Sequence, residues 1–426
     1  MKKSEGYQSI SIDETRIDEL FQVVQWAFVG EWLKEDRQDY IDAIPVDRSR
    51  AVEVTDERRG TVGELAGVHA SFGTDMITPG GRQVRTAGLS WLGVHPAHRR
   101  RGLMTTMIHD HFSRSIARGE HISVLYAMES EIYARFGYGM GAQTVKASIP
   151  RGPRMWHVDG SDELNVRLER ADFDQHDQLV ADLQAKLSRP GTILNPEGSG
   201  RNARFTDPVG NRHGMEKWRI CIIEDAGEPV AYAFFRRKPD SEVGIHDGVA
   251  QVREHGSLNA AASQRLWQVL TDFDLVGTTH TENLATDDPL LFQLKDARAA
   301  RTKVIDNIWV RLLNVPEALV SRQYFHDCDV TFKLSDRHVP DNAGVWRIVV
   351  RDGDATVTRE ADAAAATEAT ADLEMDIRHL GTVYLGGTSL EALSAAGLVK
   401  ENTPGQAREL AIAMMSPVAP LTNWDF

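Results

Sequence analysis

The chain has 426 residues, too many for one hydrophobic core, and its 42% hydrophobic and 26% charged content is that of globular proteins rather than disordered ones. With 62 acidic against 48 basic side chains it carries a formal charge of -14, which argues against nucleic acid as a general partner and is compatible with cationic substrates. Cys221 and Cys328, far apart, exclude a disulfide framework and a thiolate metal cluster; the polar opening residues and the absence of a long apolar run predict a cytoplasmic protein without a membrane span.

Ile17, Leu20, Phe21, Val24 and Phe28, spaced by threes and fours, predict a helix over residues 13–28 with one buried stripe. Short β-like runs at 51–55, 64–71 and 85–94, separated by Asp56-Glu57-Arg58-Arg59-Gly60 and Thr78-Pro79-Gly80-Gly81, predict antiparallel strands joined by hairpins. A second helix over 101–118 stops at Gly119, and a buried strand follows at 122–128. Strand, Gly-bearing turn, helix and strand form a βαβ-like unit, whose chemistry belongs at the turn between Val94 and Leu103.

The pattern breaks at Arg151-Gly152-Pro153-Arg154. A second unit shows a strand at 164–169, a helix at 175–187, a Gly, Pro and Asn-rich stretch at 190–200, a hairpin from 218–224 and 229–236, and a helix at 260–273. No Arg-rich turn opens that last helix, so the middle unit reads as a repeat of the first layout without its anion loop. A third unit starts at 304 with the apolar run 304–313, and continues through strands at 329–334 and 344–351, an Ala-rich acidic stretch at 361–372, and helical runs at 389–396 and 404–414. The apolar ending Trp424-Asp425-Phe426 is expected to tuck into a cleft. The division is therefore 1–150, 151–303 and 304–426.

The segment Val94-His95-Pro96-Ala97-His98-Arg99-Arg100-Arg101-Gly102-Leu103-Met104 leaves a strand and opens a helix. A helix N-terminus offers unpaired N–H groups and a partial positive charge, glycine permits close approach, and arginines supply fork-shaped donors, so this turn suits a pyrophosphate. Three cations at that end oppose the helix dipole unless an anion lies among them. The turn resembles the acetyl-CoA signature of the GNAT superfamily, Gln/Arg-x-x-Gly-x-Gly/Ala, with Arg99 first, Gly102 at the first glycine and Met104 departing at the last position. Together with Ser130-Glu131-Ile132-Tyr133-Ala134-Arg135-Phe136-Gly137-Tyr138-Gly139, Asp306-Asn307-Ile308-Trp309-Val310-Arg311-Leu312, Leu380-Gly381-Thr382-Val383-Tyr384 and the final Phe426, it resembles the Eis (enhanced intracellular survival) family over essentially the whole chain.

That resemblance implies an α/β (α+β) chain of two GNAT-like domains in tandem, the second without cofactor, then a sterol-carrier-protein-like domain, assembled as a homo-hexamer. It implies acetyl-CoA as co-substrate, with Leu92, Val94, Arg99, Arg100, Gly102 and Leu103 at the cofactor. Amine acetylation needs a deprotonated amine, a stabilised oxyanion and a proton for the departing thiolate. By resemblance the general acid is Tyr133, with Tyr138 as rival, and the general base is the carboxylate of Phe426, which sequence alone would leave as a frayed end. Trp32, Ser90, Trp91 and Asp425 are candidates for the acceptor. The family acts on aminoglycosides, small-molecule amines. His109 and His111, two apart on a helix, point apart, and no metal is expected. Two other readings stay open: a protein lysine Nε-acetyltransferase, and a non-catalytic protein that holds a lipid in its third domain.

Overall fold

The computed structural model describes residues 5–28, 33–194, 196–240, 247–365 and 370–424. Trp32, Asp425 and Phe426 lie outside the described residues.

Three sheets organise the chain. The first runs, edge to edge, Tyr7–Ser11, Arg50–Val54, Leu65–Ile77, Gln83–Val94, Ile122–Leu125, Trp309–Leu312 and Gly139–Met140, with Ile193–Leu194 pairing beside Leu65–Ile77. The second runs Lys303–Asp306, Gln143–Pro150, Val276–Leu284, Gly248–Ser257, Glu228–Lys238, Arg219–Asp225 and Asn165–Arg170. Each contains one parallel pair: Gln83–Val94 with Ile122–Leu125, and Gly248–Ser257 with Val276–Leu284. A helix joins each pair, Leu103–Ala117 in the first and Ala260–Leu270 in the second, as a parallel connection requires. The third sheet is Asp354–Asp362, Gly344–Arg351, Cys328–Ser335, Leu373–Asp376 and Lys400–Glu401, covered by Ile377–Val383, Leu390–Ala395 and Gln406–Met414.

The sheets cut across the expected boundaries. Gln143–Pro150, assigned to the first unit, pairs within the second sheet, and the apolar run 304–313 is not one strand. Its first half, Lys303–Asp306, closes the second sheet; its second half, Trp309–Leu312, inserts between Ile122–Leu125 and Gly139–Met140 in the first. The break falls at Asn307, whose side chain is buried with its amide donating to Tyr126 Oη at 3.1 Å and its Oδ1 accepting Thr422 N at 2.9 Å. An apolar run carries no information about which of two sheets it joins, so sequence periodicity could not split it.

The insertion gives the first and third parts one continuous core, in which Ile122, Val124, Val310 and Leu312 pack with Phe332, Tyr384 and Trp424. The middle part keeps its own cores, around Trp267, Leu266 and Phe235 on one face of the sheet and Val180, Tyr232 and Phe234 on the other. After the Gln406–Met414 helix the chain runs back across the molecule as an extended tail. Ala419 N donates to Asp287 Oδ2 at 2.8 Å, Leu421 N to the Pro190 carbonyl at 2.9 Å, and Asn423 Oδ1 accepts Ile193 N at 2.8 Å. Gly191 makes this crossing possible: its φ is +93°, and a Cβ there would sit 2.9 Å from the Leu421 carbonyl oxygen.

Candidate active site

The strand Gln83–Val94 pairs with its parallel neighbour only from Thr86 to Gly88, so its last residues part from Ile122–Leu125 and leave an opening at the carboxyl ends of both strands. On its other side the register with Leu65–Ile77 shifts between Val68, opposite Gly93, and Ala70, opposite Ser90. The extra residue makes a bulge at Trp91, whose φ of 53° is a left-handed conformation rare for an aromatic residue. Bulges aim side chains, and here Trp91 turns onto Phe21 at 5.7 Å between ring centroids and into the wall of a cavity.

Beyond the strand the turn reverses at Arg100, φ 63°, and at Gly102, φ 80°, before the helix Leu103–Ala117 begins. Its N-cap, Gly102, has no side chain to offer, and among the described residues no other side chain caps it, so its first N–H groups stay available to a ligand. The three arginines divide. Arg101 turns inward, with Nη1 donating to the Arg59 carbonyl at 3.2 Å and lying 3.2 Å from His98 Nδ1. Arg99 and Arg100 are exposed and, among the described residues, have no ion-pair partner. They line a groove of about 620 Å³ together with Leu92, Val94, Gly102 and Leu103, so all six residues expected at the cofactor border one space.

Tyr133 lies in the wall of the same groove, nearly buried, and burial beside Glu129 pushes its phenol up to about 12. Tyr138 is fully buried and lines neither cavity; its hydroxyl is bonded at 2.7 Å to Ser123 Oγ, itself 2.8 Å from His111 Nε2, and burial raises its pKa further than that of Tyr133. Of the two phenols, only Tyr133 faces a space that a ligand can enter. Gly137, between them, has φ +86° and would place a Cβ 2.8 Å from Arg311 Nε, so the tight turn that separates the two tyrosines needs glycine.

A second cavity, about 800 Å³, opens between the first and middle sheets. It is lined by aromatic side chains from every part of the chain: Tyr40, Trp91, Tyr126, Trp218 and Trp424. It meets the groove at Met128, an exposed side chain that borders both. Its charged lining is balanced: Asp207, Glu254, Glu282 and Asp306 face Lys146, Arg204, Arg236 and Arg253. Several are paired, Lys146 with Glu282 at 2.8 Å and Arg204 with Glu254 at 3.4 Å. Arg236 and Arg253 lie 4.3 and 4.5 Å from the Trp218 ring centroid, and Arg204 lies 5.3 Å from that of Trp424. The described lining is thus not the acidic surface that the overall charge suggested, because carboxylates on this cleft carry their own counter-cations.

Among the acceptor candidates, Trp91 lines the larger cavity, whereas Ser90 is buried, lines neither cavity, and keeps its Oγ without a hydrogen-bond partner among the described residues. The tail up to Trp424 runs into the cavity wall; the terminal residues expected in a cleft, Asp425 and Phe426, lie outside the described residues. Tyr126 and Met128 escaped sequence reading, although one signal pointed there: they follow the parallel strand Ile122–Leu125 at its carboxyl end, where open sheets bind ligands. Arg204 and Arg253, from the middle part, carried no local signal at all. Among the described residues no three His, Cys, Asp or Glu side chains are grouped as a metal site, and no helix is long and apolar enough to cross a membrane.

The groove fits a nucleotide-bearing thioester by its own features: an uncapped helix start, two arginines without ion-pair partners, and a strand edge released from pairing. Comparison with known proteins agrees. Models of the acetyltransferase (GNAT) domain match residues 9–141 and 200–312, and a sterol carrier protein domain matches 315–423. An uncharacterized N-acetyltransferase of Streptomyces coelicolor is 34% identical over 91% of both chains. The N-acetyltransferase Eis of Mycobacterium tuberculosis is 29% identical over 86% of this chain and 87% of its own. Among solved structures, Eis1 from Mycobacterium abscessus superposes with a TM-score of 0.77 at 24% identity, and a GCN5-related N-acetyltransferase from Anabaena variabilis with 0.81 at 18% identity, each covering 99% of this chain and 100% of its own.

Proposed function

The chain belongs to the Eis family of GNAT N-acetyltransferases, and from that premise we propose that it acetylates amines of polycationic small molecules, aminoglycosides foremost, seated in the larger cavity. The observation that carries this reading is the junction at Met128, where the groove bearing Tyr133 meets the cavity bearing Trp91 and Trp424.

Acetyl-CoA supplies an activated acetyl thioester. Arg99, Arg100 and the free N–H groups at the start of the Leu103–Ala117 helix hold its pyrophosphate, and the edge of Leu92–Val94 aligns the pantetheine arm toward the junction. Tyr133 donates its phenolic proton to the departing sulfur; the raised pKa keeps that proton in place throughout the neutral range. The carboxylate of Phe426 accepts the proton of the amine. Support for this base comes from the tail, whose described part reaches the cavity at Trp424. Trp91, aimed by its bulge, and Asp425 contact the acceptor. Trp32 stays an acceptor candidate from its place in the sequence, whereas Ser90, which lines neither cavity, is not assigned to the acceptor, and the sterol-carrier-like part delivers the tail. The homo-hexamer of the family is carried over as part of the proposal, and light scattering reads it.

A second reading follows from the balanced charge and the aromatic lining: an acceptor whose single amine hangs from an aromatic or apolar body. Release of CoA thiol separates the two. Turnover with aminoglycosides above that with arylalkylamines supports the first, the reverse order supports the second, and turnover restricted to lysine peptides removes both.

A further inference from the structure

The third part of the chain also reaches the cofactor groove. Arg337 and His338, on the loop after the strand Cys328–Ser335, border it together with Arg99, Arg100 and Arg135. The loop is built to hold its shape. Asp336 is fully buried and receives Arg311 Nη2 on both carboxylate oxygens, at 2.8 and 2.6 Å, while its Oδ1 accepts the backbone N–H groups of His338 and Val339, each at 3.0 Å. Arg311 belongs to the inserted strand Trp309–Leu312 and donates through Nε to the Phe136 carbonyl at 2.9 Å, so one guanidinium fixes the Tyr133 segment and the Arg337 loop together.

His338 settles against the same segment. Its ring packs on Phe136 with centroids 5.2 Å apart, and its Nε2 donates to the Arg135 carbonyl at 2.8 Å. Nδ1 of that tautomer is an acceptor, filled by His109 Nε2 at 2.9 Å. Burial lowers both imidazoles below their usual range, so near pH 7 they are neutral and the loop presents one cation, Arg337. Arg337 is exposed and has no carboxylate partner among the described residues.

Arg99, Arg100, Arg135 and Arg337 border the groove against one carboxylate in its described lining, Glu129, and guanidinium groups in such excess repel one another unless an anion lies among them. A CoA thioester carries two anionic groups, the pyrophosphate and a ribose 3′-phosphate, and the helix start with Arg99 and Arg100 answers the first. We propose that Arg337 is a further CoA-binding residue that pairs with a phosphate at the nucleotide end, so that the sterol-carrier-like part completes the cofactor site. This rests on the reading of the groove as the CoA site.

Calorimetric titration of the full chain and of Arg337→Ala and Arg337→Lys with CoA and with 3′-dephospho-CoA tests it. The alanine variant should weaken the CoA Kd by about 5- to 10-fold, a charge-assisted hydrogen bond at a partly exposed site, with lysine restoring most of the loss and the acceptor KM unchanged at saturating acetyl-CoA. A loss confined to CoA identifies the 3′-phosphate as partner, and an equal loss with 3′-dephospho-CoA identifies the pyrophosphate; either supports the assignment. An alanine variant whose Kd for both ligands stays within about 2-fold of wild type, the range of a surface charge that makes no measurable pair, overturns it. Failure of the unaltered chain to bind CoA overturns instead the reading of the groove.

Discussion

The first and middle parts of this chain are variations on one unit, a strand, a helix and a parallel strand, and they differ where the strand hands over to the helix. In the first part the connection is long, from His95 to Gly102, turns through two left-handed residues, and leaves the helix uncapped. In the middle part only Leu258 and Asn259 separate Gly248–Ser257 from Ala260–Leu270, and Asn259 caps the helix itself by accepting Ala262 N at 2.8 Å. A helix start that satisfies its own donors has nothing left for a phosphate. The parallel strands part in both: pairing covers Gly248–Val252 of a strand that runs on to Ser257 in the middle part, and Thr86–Gly88 of one that runs on to Val94 in the first. The first part thus forgoes a cap that the middle part has, and it gains support from the third part through the inserted strand Trp309–Leu312 and the buried Arg311–Asp336 pair.

Four experiments sharpen or break that contrast. The largest effect is expected from Asp336→Ala, which strands the buried Arg311 charge and should cost about 3–5 kcal/mol. Hydrogen exchange should show the first and third sheets losing protection while the middle sheet keeps its own; uniform loss would mean that the middle core is not independent. Next, Tyr133→Phe should lower kcat by about 10²- to 10³-fold with the CoA Kd unchanged, and Tyr138→Phe should leave kcat within a few-fold. The sign of the pKa shift adds a check: burial favours the neutral phenol, so the proton donor persists until pH nears about 12, and kcat should show no alkaline fall between pH 7 and 10 from this group.

Gly102→Asp imposes on the first helix what Asn259 gives the second, a capping side-chain oxygen, and adds charge and left-handed strain. The CoA Kd should rise by about 10- to 30-fold, read by calorimetry; a smaller rise than with Arg99→Ala would transfer the binding to the arginines. The mirror substitution, Asn259→Ala, removes the middle cap and should cost about 1 kcal/mol of stability in urea unfolding, with the CoA Kd unaltered. Weaker CoA binding in that variant would erase the distinction between the halves.

Much of this was readable in the chain. Periodicity places the helix carrying Leu103, Met107 and Phe112 and the strands around it, because each element buries a face set by its own repeat. The Arg99–Gly102 turn is legible as an anion site because a helix start, a glycine and unpaired cations are local features. The motif around Tyr133 is legible by resemblance alone, which already prefers Tyr133 to Tyr138; the structure adds that the Tyr138 hydroxyl is bonded to Ser123.

What tertiary structure decided has a common physical origin in pairings that local sequence does not encode. The run 304–313 divides between two sheets because each sheet has an open edge or gap of matching length, a property of strands far away in sequence. The described lining of the larger cavity is charge-balanced because its carboxylates and cations, drawn from separate segments, come together only once folded. Arg337 borders the groove because Arg311 and Asp336 meet in a buried interior, where an ion pair holds its geometry and orients the loop beside it. Composition, periodicity and short motifs determined the kind of protein and the place of its anion site; the crossing of segments determined which residues share that site.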